Sequence, residues 1–286
     1  MPIDPSVALG AELPEREFAW TSSDVLLYHL AIGAGVPATD ERELRYASER
    51  DLQVLPTFAV VAPTLTETEA PRVSYPGIEI DLAKVLHGTQ QIVAHRALPT
   101  DGKARAVTRV AEIWDKGSAA VVVTETEVRD LAGEPLWTNR SSIFAKGEGG
   151  FGGERGAAST AIAPDRDPDL VLTTPTLPQQ ALLYRLLGDR NPLHSDPVFA
   201  AAAGFPAPIL HGLATYGIVG KALVDRLLDG RPELLRSFGA KFAGVVYPGE
   251  TLRTSVWQES DRWLATTSVV ERDNAPALAE VELVRA

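Results

Sequence analysis

An aspartate, an asparagine and a histidine stand within six consecutive positions in Asp189-Arg190-Asn191-Pro192-Leu193-His194. Gly188 and Pro192 keep this stretch out of regular helix, so that a carboxylate, an amide and an imidazole could converge on one water molecule. Asp and His can move protons near neutral pH, and Asn can orient a water without titrating. His211-Gly212 follows at the predicted start of a long helix. The Gly212 N–H would be one of the unpaired donors at a helix N-terminus and could hold a developing oxyanion, and the absent side chain lets a substrate come close to the backbone. Asp, Asn and Pro are also ordinary turn formers between helices, so residue types alone support a structural turn as well as a water-activating site. Leu193 and the lack of the required glycine exclude a calcium loop. The spacing from His194 to His211 matches no standard zinc motif, and no metal is expected.

Other candidates carry less chemistry. There is no G-x-S-x-G elbow and no phosphate-loop pattern. Gly147-Glu148-Gly149-Gly150-Phe151-Gly152 formally satisfies G-x-G-x-x-G, but no helical period follows it, as a dinucleotide site would require. His87-Gly88 reads as a turn at a strand start. His29 on a helix and His95 in a strand read as residues at the edge of the core, and Trp114, Trp137, Trp257 and Trp263 as strand residues of the core. Arg185 and Arg190 bracket the polar loop and fit either a phosphate contact or plain solvation.

The elements that must position this loop follow from periodicity. Helices are predicted for Ser22 to Ile32, Gln179 to Leu187 and Leu213 to Leu228. Strands are predicted for Gln53 to Ala62, Ile78 to Leu86, Gln90 to Ala97, Ala104 to Asp115, Ala119 to Arg129 and Leu136 to Ala145, in the spacing of an antiparallel meander. A second series runs over Ser237 to Phe242, Thr251 to Gln258, Arg262 to Glu271 and Ala277 to Val284. Gly147 to Pro168, rich in Gly, Ala, Pro and charge, reads as a linker between residues 1–146 and 169–286.

The 286 residues, 45% hydrophobic and 23% charged, are enough for one or two packed domains and unlike a disordered chain. The net charge of −11 repels a phosphate backbone, so no nucleic-acid partner is expected. The absence of cysteine removes disulfides, thiolate nucleophiles and Cys-based zinc sites together. No apolar run is long enough for a membrane span and the start has no signal-like pattern, so the expected address is cytoplasmic, with no membrane partner.

The two halves echo one another. Leu26-Leu27-Tyr28-His29-Leu30 resembles Leu182-Leu183-Tyr184-Arg185-Leu186, and Val85-Leu86-His87-Gly88-Thr89 has a counterpart in Val246-Tyr247-Pro248-Gly249-Glu250 at a near-constant offset. A duplicated unit would place a functional cleft where the repeats meet.

Tyr184-Arg185-Leu186-Leu187-Gly188-Asp189-Arg190-Asn191-Pro192-Leu193-His194, followed by His211-Gly212, closely resembles the signature of MaoC-like (R)-specific 2-enoyl-CoA hydratases. The likeness extends to Pro206 to Thr215, Val246 to Leu252, Trp114 to Gly117 and Phe151-Gly152-Gly153, features of the two-repeat hydratase 2 type. It implies an α+β double hot-dog fold, each repeat wrapping an antiparallel sheet around a helix. Only the second repeat carries the signature, since the first continues Ile32-Gly33-Ala34-Gly35-Val36. The first repeat is expected to shape an acyl pocket, a reduced helical region making room for bulky chains. The resemblance implies that Asp189 and His194 flank the catalytic water, that Asn191 orients it, that the Gly212 N–H holds the thioester oxygen, and that His211, Arg190 and Tyr184 contact the substrate. Syn addition of water to a trans-2-enoyl-CoA would then give the (3R)-hydroxyacyl-CoA, with no cofactor beyond the CoA of the substrate. Leu55-Pro56-Thr57-Phe58 and Trp137-Thr138 resemble actinobacterial homologues that act in steroid side-chain degradation, with fatty-acid β-oxidation and the supply of hydroxyacyl units for polymers as alternatives. A hot-dog thioesterase and a non-catalytic subunit are the competing functional classes. A monomer and a homodimer are both compatible with two repeats.

Overall fold

A computed structural model describes residues 3–70, 74–80 and 85–286. Its strands are β1 (Arg16–Trp20), β2 (Val85–Ala94), β3 (Gly102–Asp115), β4 (Ala119–Asp130), β5 (Pro135–Lys146), β6 (Leu170–Pro175), β7 (Leu235–Phe242), β8 (Thr251–Gln258), β9 (Arg262–Val269) and β10 (Ala275–Arg285). They form one antiparallel sheet of order β1-β3-β4-β5-β2-β7-β10-β9-β8-β6. Matching β1, β3, β4, β5 and β2 with β6, β8, β9, β10 and β7 makes the order read alike from both ends. The sheet is therefore two five-stranded halves joined at β2–β7, where Thr89 to Val93 face Lys241 to Ser237. This is the α+β double hot-dog arrangement.

The helices are α1 (Pro5–Ala8), α2 (Ser22–Ala31), α3 (Glu41–Ala47), α4 (Gln180–Tyr184), α5 (Pro197–Ala202) and α6 (Gly212–Leu227). None of the described helices is long and apolar enough to cross a membrane. The α2 start is set by a capping box between Thr21 and Asp24. Residues 214–221 and 223–224 of α6 are all buried, and one core runs through both halves. Small residues let the first half approach α6: a Cβ at Gly217 would lie 2.6 Å from the Tyr28 hydroxyl, and one at Gly220 would lie 2.9 Å from the Thr57 methyl. Next to Gly220 on α6, Lys221 pairs with Glu43 of α3 at 2.7 Å and Asp225 at 2.8 Å, and Asp225 accepts from the Tyr46 hydroxyl at 2.8 Å. Ala119 to Val123 are buried without alternation because a second apolar cluster, with Ile3 and Ala8, covers the opposite face of the sheet.

Several sequence-based expectations are corrected. Gln53 to Ala62 is not a strand; Pro56–Val60 and Ala62–Thr64 are 3-10 turns. Prolines open both turns, and a short apolar run buried all round has no periodicity by which to tell strand from helix. Gln90 to Ala97 belongs to β2, which begins at Val85 and ends at Ala94. Of Ile78 to Leu86, residues 81–84 lie outside the described residues, and Ile78 makes only isolated bridges. The first half is not a simple meander, because β2 pairs with β5 rather than with β3. Gln179 to Leu187 is split into α4 and a 3-10 turn, Arg185–Leu187. The edge strands β1 and β6 and the short helices α1, α3 and α5 were not expected. The Val85–Thr89 echo does not superpose on Val246–Glu250 in topology, since β2 corresponds to β7 whereas Pro248-Gly249 is the turn after it. His87-Gly88 lies within β2 at a bulge rather than in a turn. Trp137 and Trp257 are buried, but Trp114 and Trp263 are only half-buried, and His95 is exposed just past the end of β2.

The formal glycine motif has an internal role. The Asp115 carboxylate accepts backbone N–H groups from Gly117 at 2.7 Å, Gly150 at 2.9 Å and Gly152 at 2.7 Å, so the loop wraps a side chain of β3. These bonds, that from Gly150 foremost, hold the Asp115 carboxyl below its ordinary range.

His29 is fully buried rather than at the edge of the core. Its Nδ1–H donates to the Tyr46 carbonyl at 2.8 Å, and its Nε2 accepts from the Leu55 N–H at 3.2 Å, which leaves no position for a second proton. Burial draws its pKa down to about 4. The unfolded chain therefore binds this proton first, so stability is complete above about pH 6.5 and falls as pH drops toward 4, by about 3 kcal/mol from this group. Urea unfolding across that range should show the decline, and His29→Asn should flatten it.

Candidate active site

The polar loop is built by a forced change of backbone direction. The 3-10 turn at Arg185–Leu187 ends on Gly188, whose φ of +109° suits glycine. A Cβ there would lie 2.0 Å from the Thr64 carbonyl oxygen, so Gly188 is also where the first half touches the loop. Asp189 then accepts the Asn191 N–H at 3.1 Å, and Asn191 caps the following turn by accepting the Leu193 N–H at 3.0 Å. The turn, Pro192–His194, delivers His194 to a buried position.

Three of the sequence-derived residues converge. Asp189, His194 and His211 each bring one carboxylate or ring atom to within 4.8 Å of the others. The two rings stack with centroids 3.7 Å apart and planes 25° from parallel. Imidazole lone pairs lie in the ring plane, so stacked rings aim them side by side, which suits a proton network better than a tetrahedral ion site. The His194 Nδ1–H donates to the Ile209 carbonyl at 2.9 Å, which makes Nε2 the acceptor of that ring. The His211 Nε2–H is directed to the Asp189 carbonyl at 3.3 Å, and its buried Nδ1 has no partner among the described residues.

Burial lowers the pKa of both histidines. For His194 the negative charge of Asp189 opposes the shift, whereas for His211 the neighbouring His194 adds to it and the fall is larger. Both rings are therefore neutral near pH 7, the state in which Nε2 of His194 can accept a proton.

His211 is also the N-cap residue of α6. Its carbonyl takes the Ala214 and Thr215 N–H groups, so Gly212 and Leu213 point the first two N–H groups of the helix outward with no partner among the described residues. A Cβ at Gly212 would meet the Phe242 ring at 3.1 Å, and the His87 ring also packs on Phe242, with centroids 4.5 Å apart. Tyr184 is buried beside His211, centroids 5.0 Å apart, and its hydroxyl has no partner among the described residues. Arg185 and Arg190 form no ion pair among the described residues, and the Nε of each is buried without an acceptor.

A cavity of about 490 Å³ opens beside Asp189. Tyr184, Gly188 and Leu213 line one side, and Val60, Val61 and Thr64 of the first half line the other. At its rim Arg16 pairs with Glu67 at 2.5 Å. Sequence reasoning did not find Val60, Val61, Thr64 or Phe242, because nothing in their local spacing distinguishes them from core residues. A carboxylate on the cavity wall, a neutral imidazole acceptor beside it and a helix start whose first two N–H groups have no partner among the described residues can together activate water and stabilise an oxyanion.

Residues 18–147 match the MFE-2 hydratase 2 N-terminal domain, and residues 159–277 match the MaoC like domain. The chain is 56% identical to the enoyl-CoA hydratase ChsH3 of Mycobacterium tuberculosis over 100% of both proteins. It is 43% identical to 3-hydroxyacyl-thioester dehydratase Y of the same organism over 97% of this chain and 95% of that one. The solved MaoC-like dehydratase from Phytophthora capsici superposes with a TM-score of 0.90 at 29% identity, covering 99% of this chain and 98% of that one.

The geometry makes a titration prediction. NMR resonances of His194 and His211 should titrate below the ordinary histidine range, His211 lower than His194. Asp189→Asn, which removes the charge that favours protonated His194, should move His194 lower still. An upward movement would mean that Asp189 does not face that ring.

Proposed function

The chain belongs to the MaoC-like hydratase 2 family and is an enoyl-CoA hydratase, and from this premise we propose that Asp189 and His194 add water to a trans-2-enoyl-CoA to give the (3R)-hydroxyacyl-CoA. The observation that carries the assignment of residues is the convergence of Asp189, neutral His194 and His211 on one another, with Asp189 itself on the wall of the cavity that Leu213, at the start of α6, also lines.

In this reading the thioester carbonyl oxygen sits against the Gly212 N–H with C2 and C3 over the Asp189–His194 pair. One member of the pair draws a proton from water, and the water oxygen bonds to C3. The π electrons move toward C2 and the carbonyl, placing negative charge on the oxygen held at the helix N-terminus. A proton delivered to C2 completes the addition of one water, and the reverse sequence is dehydration. The pair shares these proton transfers. Asn191 fixes the Pro192–His194 turn through its bond to Leu193 and borders the water site.

The acyl group occupies the cavity between the two halves, and Arg185 and Arg190, whose Nε atoms have no acceptor among the described residues, offer their guanidinium groups to the CoA phosphates. Fatty-acyl and steroid side-chain thioesters both belong in the assay. No separate cofactor enters this scheme; CoA arrives with the substrate.

The assay follows loss of the conjugated enoyl absorbance with chiral analysis of the product. Wild type should form the (3R) product, and Asp189→Ala and His194→Ala should each lower kcat by about 1,000-fold or more. The acid limb of the wild-type kcat profile should lie below pH 6.5, because the active His194 is neutral and its pKa is lowered. Release of free CoA without hydration would replace this reading with thioester hydrolysis, and neither product would point to a non-catalytic subunit.

A further inference from the structure

The first half supplies the wall of the cavity, but its contact with Gly188 gives it a second capacity. Residues 56–64 are wedged among three elements. Asn139 of β5 donates to the Ala59 carbonyl at 2.9 Å, the Thr57 methyl fills the space left by Gly220 on α6, and the Thr64 carbonyl occupies the place of a side chain at Gly188. The segment is stiff: Pro56, Thr57, Phe58, Ala59 and Ala62 are buried, and Phe58, Val61 and Thr64 each donate a backbone bond three residues back. The Thr64 hydroxyl donates to the Val61 carbonyl at 3.0 Å and also lies 3.4 Å from the Leu187 carbonyl, the residue before Gly188.

Thr64 therefore faces two ways. It abuts the turn that presents Asp189, and with Val60 and Val61 it lines the cavity. Resting on the hydratase reading above, we propose that Thr64 is a positioning residue for Asp189, and that an acyl group packed against Val60 and Val61 tightens this support, so that longer acyl chains raise kcat as well as lowering KM. Binding energy gained far from C3 is thereby used to hold the water-activating pair in its reactive geometry. The catalytic turn of the second repeat is completed by backbone from the first.

The test compares wild type, Thr64→Ser, Thr64→Val and Val60→Ala on trans-2-butenoyl-CoA and trans-2-decenoyl-CoA, with melting temperatures measured in parallel. Wild type should turn over decenoyl-CoA with a kcat about five-fold above that for butenoyl-CoA. Thr64→Val, close in shape but without the hydroxyl, should lower kcat on both substrates about ten-fold with KM for butenoyl-CoA unchanged, and Thr64→Ser should restore it. Val60→Ala should bring the two kcat values together. Wild-type kcat values in Thr64→Val, or an acyl advantage confined to KM, would overturn the inference, as would losses in Thr64→Val that simply follow its melting temperature. Hydration of neither substrate by wild type would overturn the hydratase reading and the inference together, whereas the preceding results sink the inference alone.

Discussion

Everything in this molecule is referred to the backbone pairing of β2 with β7. Those antiparallel hydrogen bonds merge two five-stranded sheets into one, and thereby give the two halves a shared inner face and a continuous core. They also set the site. Phe242, at the end of β7, abuts Gly212 at the start of α6, and His87 at the bulge in β2 packs against the Phe242 ring. A slip in this register would displace the wall beside the free helix N–H groups and reverse which side chains face the core.

The symmetry of the strands is broken by what fills the sheet. The second half contributes α6, long and almost wholly buried, whose first two N–H groups have no partner among the described residues; the first half contributes the shorter α2 and α3 and the 3-10 segment at 56–64. The shorter filling opposite α6 leaves a cavity that the two halves share. Close approach is also what permits their asymmetry, since glycines at 188, 217 and 220 each stand where a side chain would collide with the first half.

Much of this was legible in the sequence where local rules dominate. Alternation located β3, β4, β5, β7 and β8 to within a few residues, and the Thr21–Asp24 box marked the start of α2. The composition of Asp189 to His194 marked a polar loop, and its resemblance to a known signature supplied roles that spacing alone left open. Local rules failed where tertiary contact decides. Val54 to Ala62 is apolar and β-like in composition, but prolines and burial on all sides make it a 3-10 segment. The edge strands β1 and β6 carry too little alternation to stand out. The pairing of β2 with β5 is nonlocal, and Thr64 acquires significance only because the chain returns to place Gly188 against it.

The wrapping of Asp115 by the glycine loop also bears on assembly. By fixing Gly150 and Gly152 to β3, it shortens the part of the 147–168 connection that is free of this anchor. A shorter tether raises the effective concentration of one half at the other, and each halving of an unconstrained loop lowers its closure cost by about 0.6 kcal/mol. Pairing of β2 with the β7 of its own chain is thus favoured over exchange with a neighbouring molecule, the route by which duplicated folds swap domains.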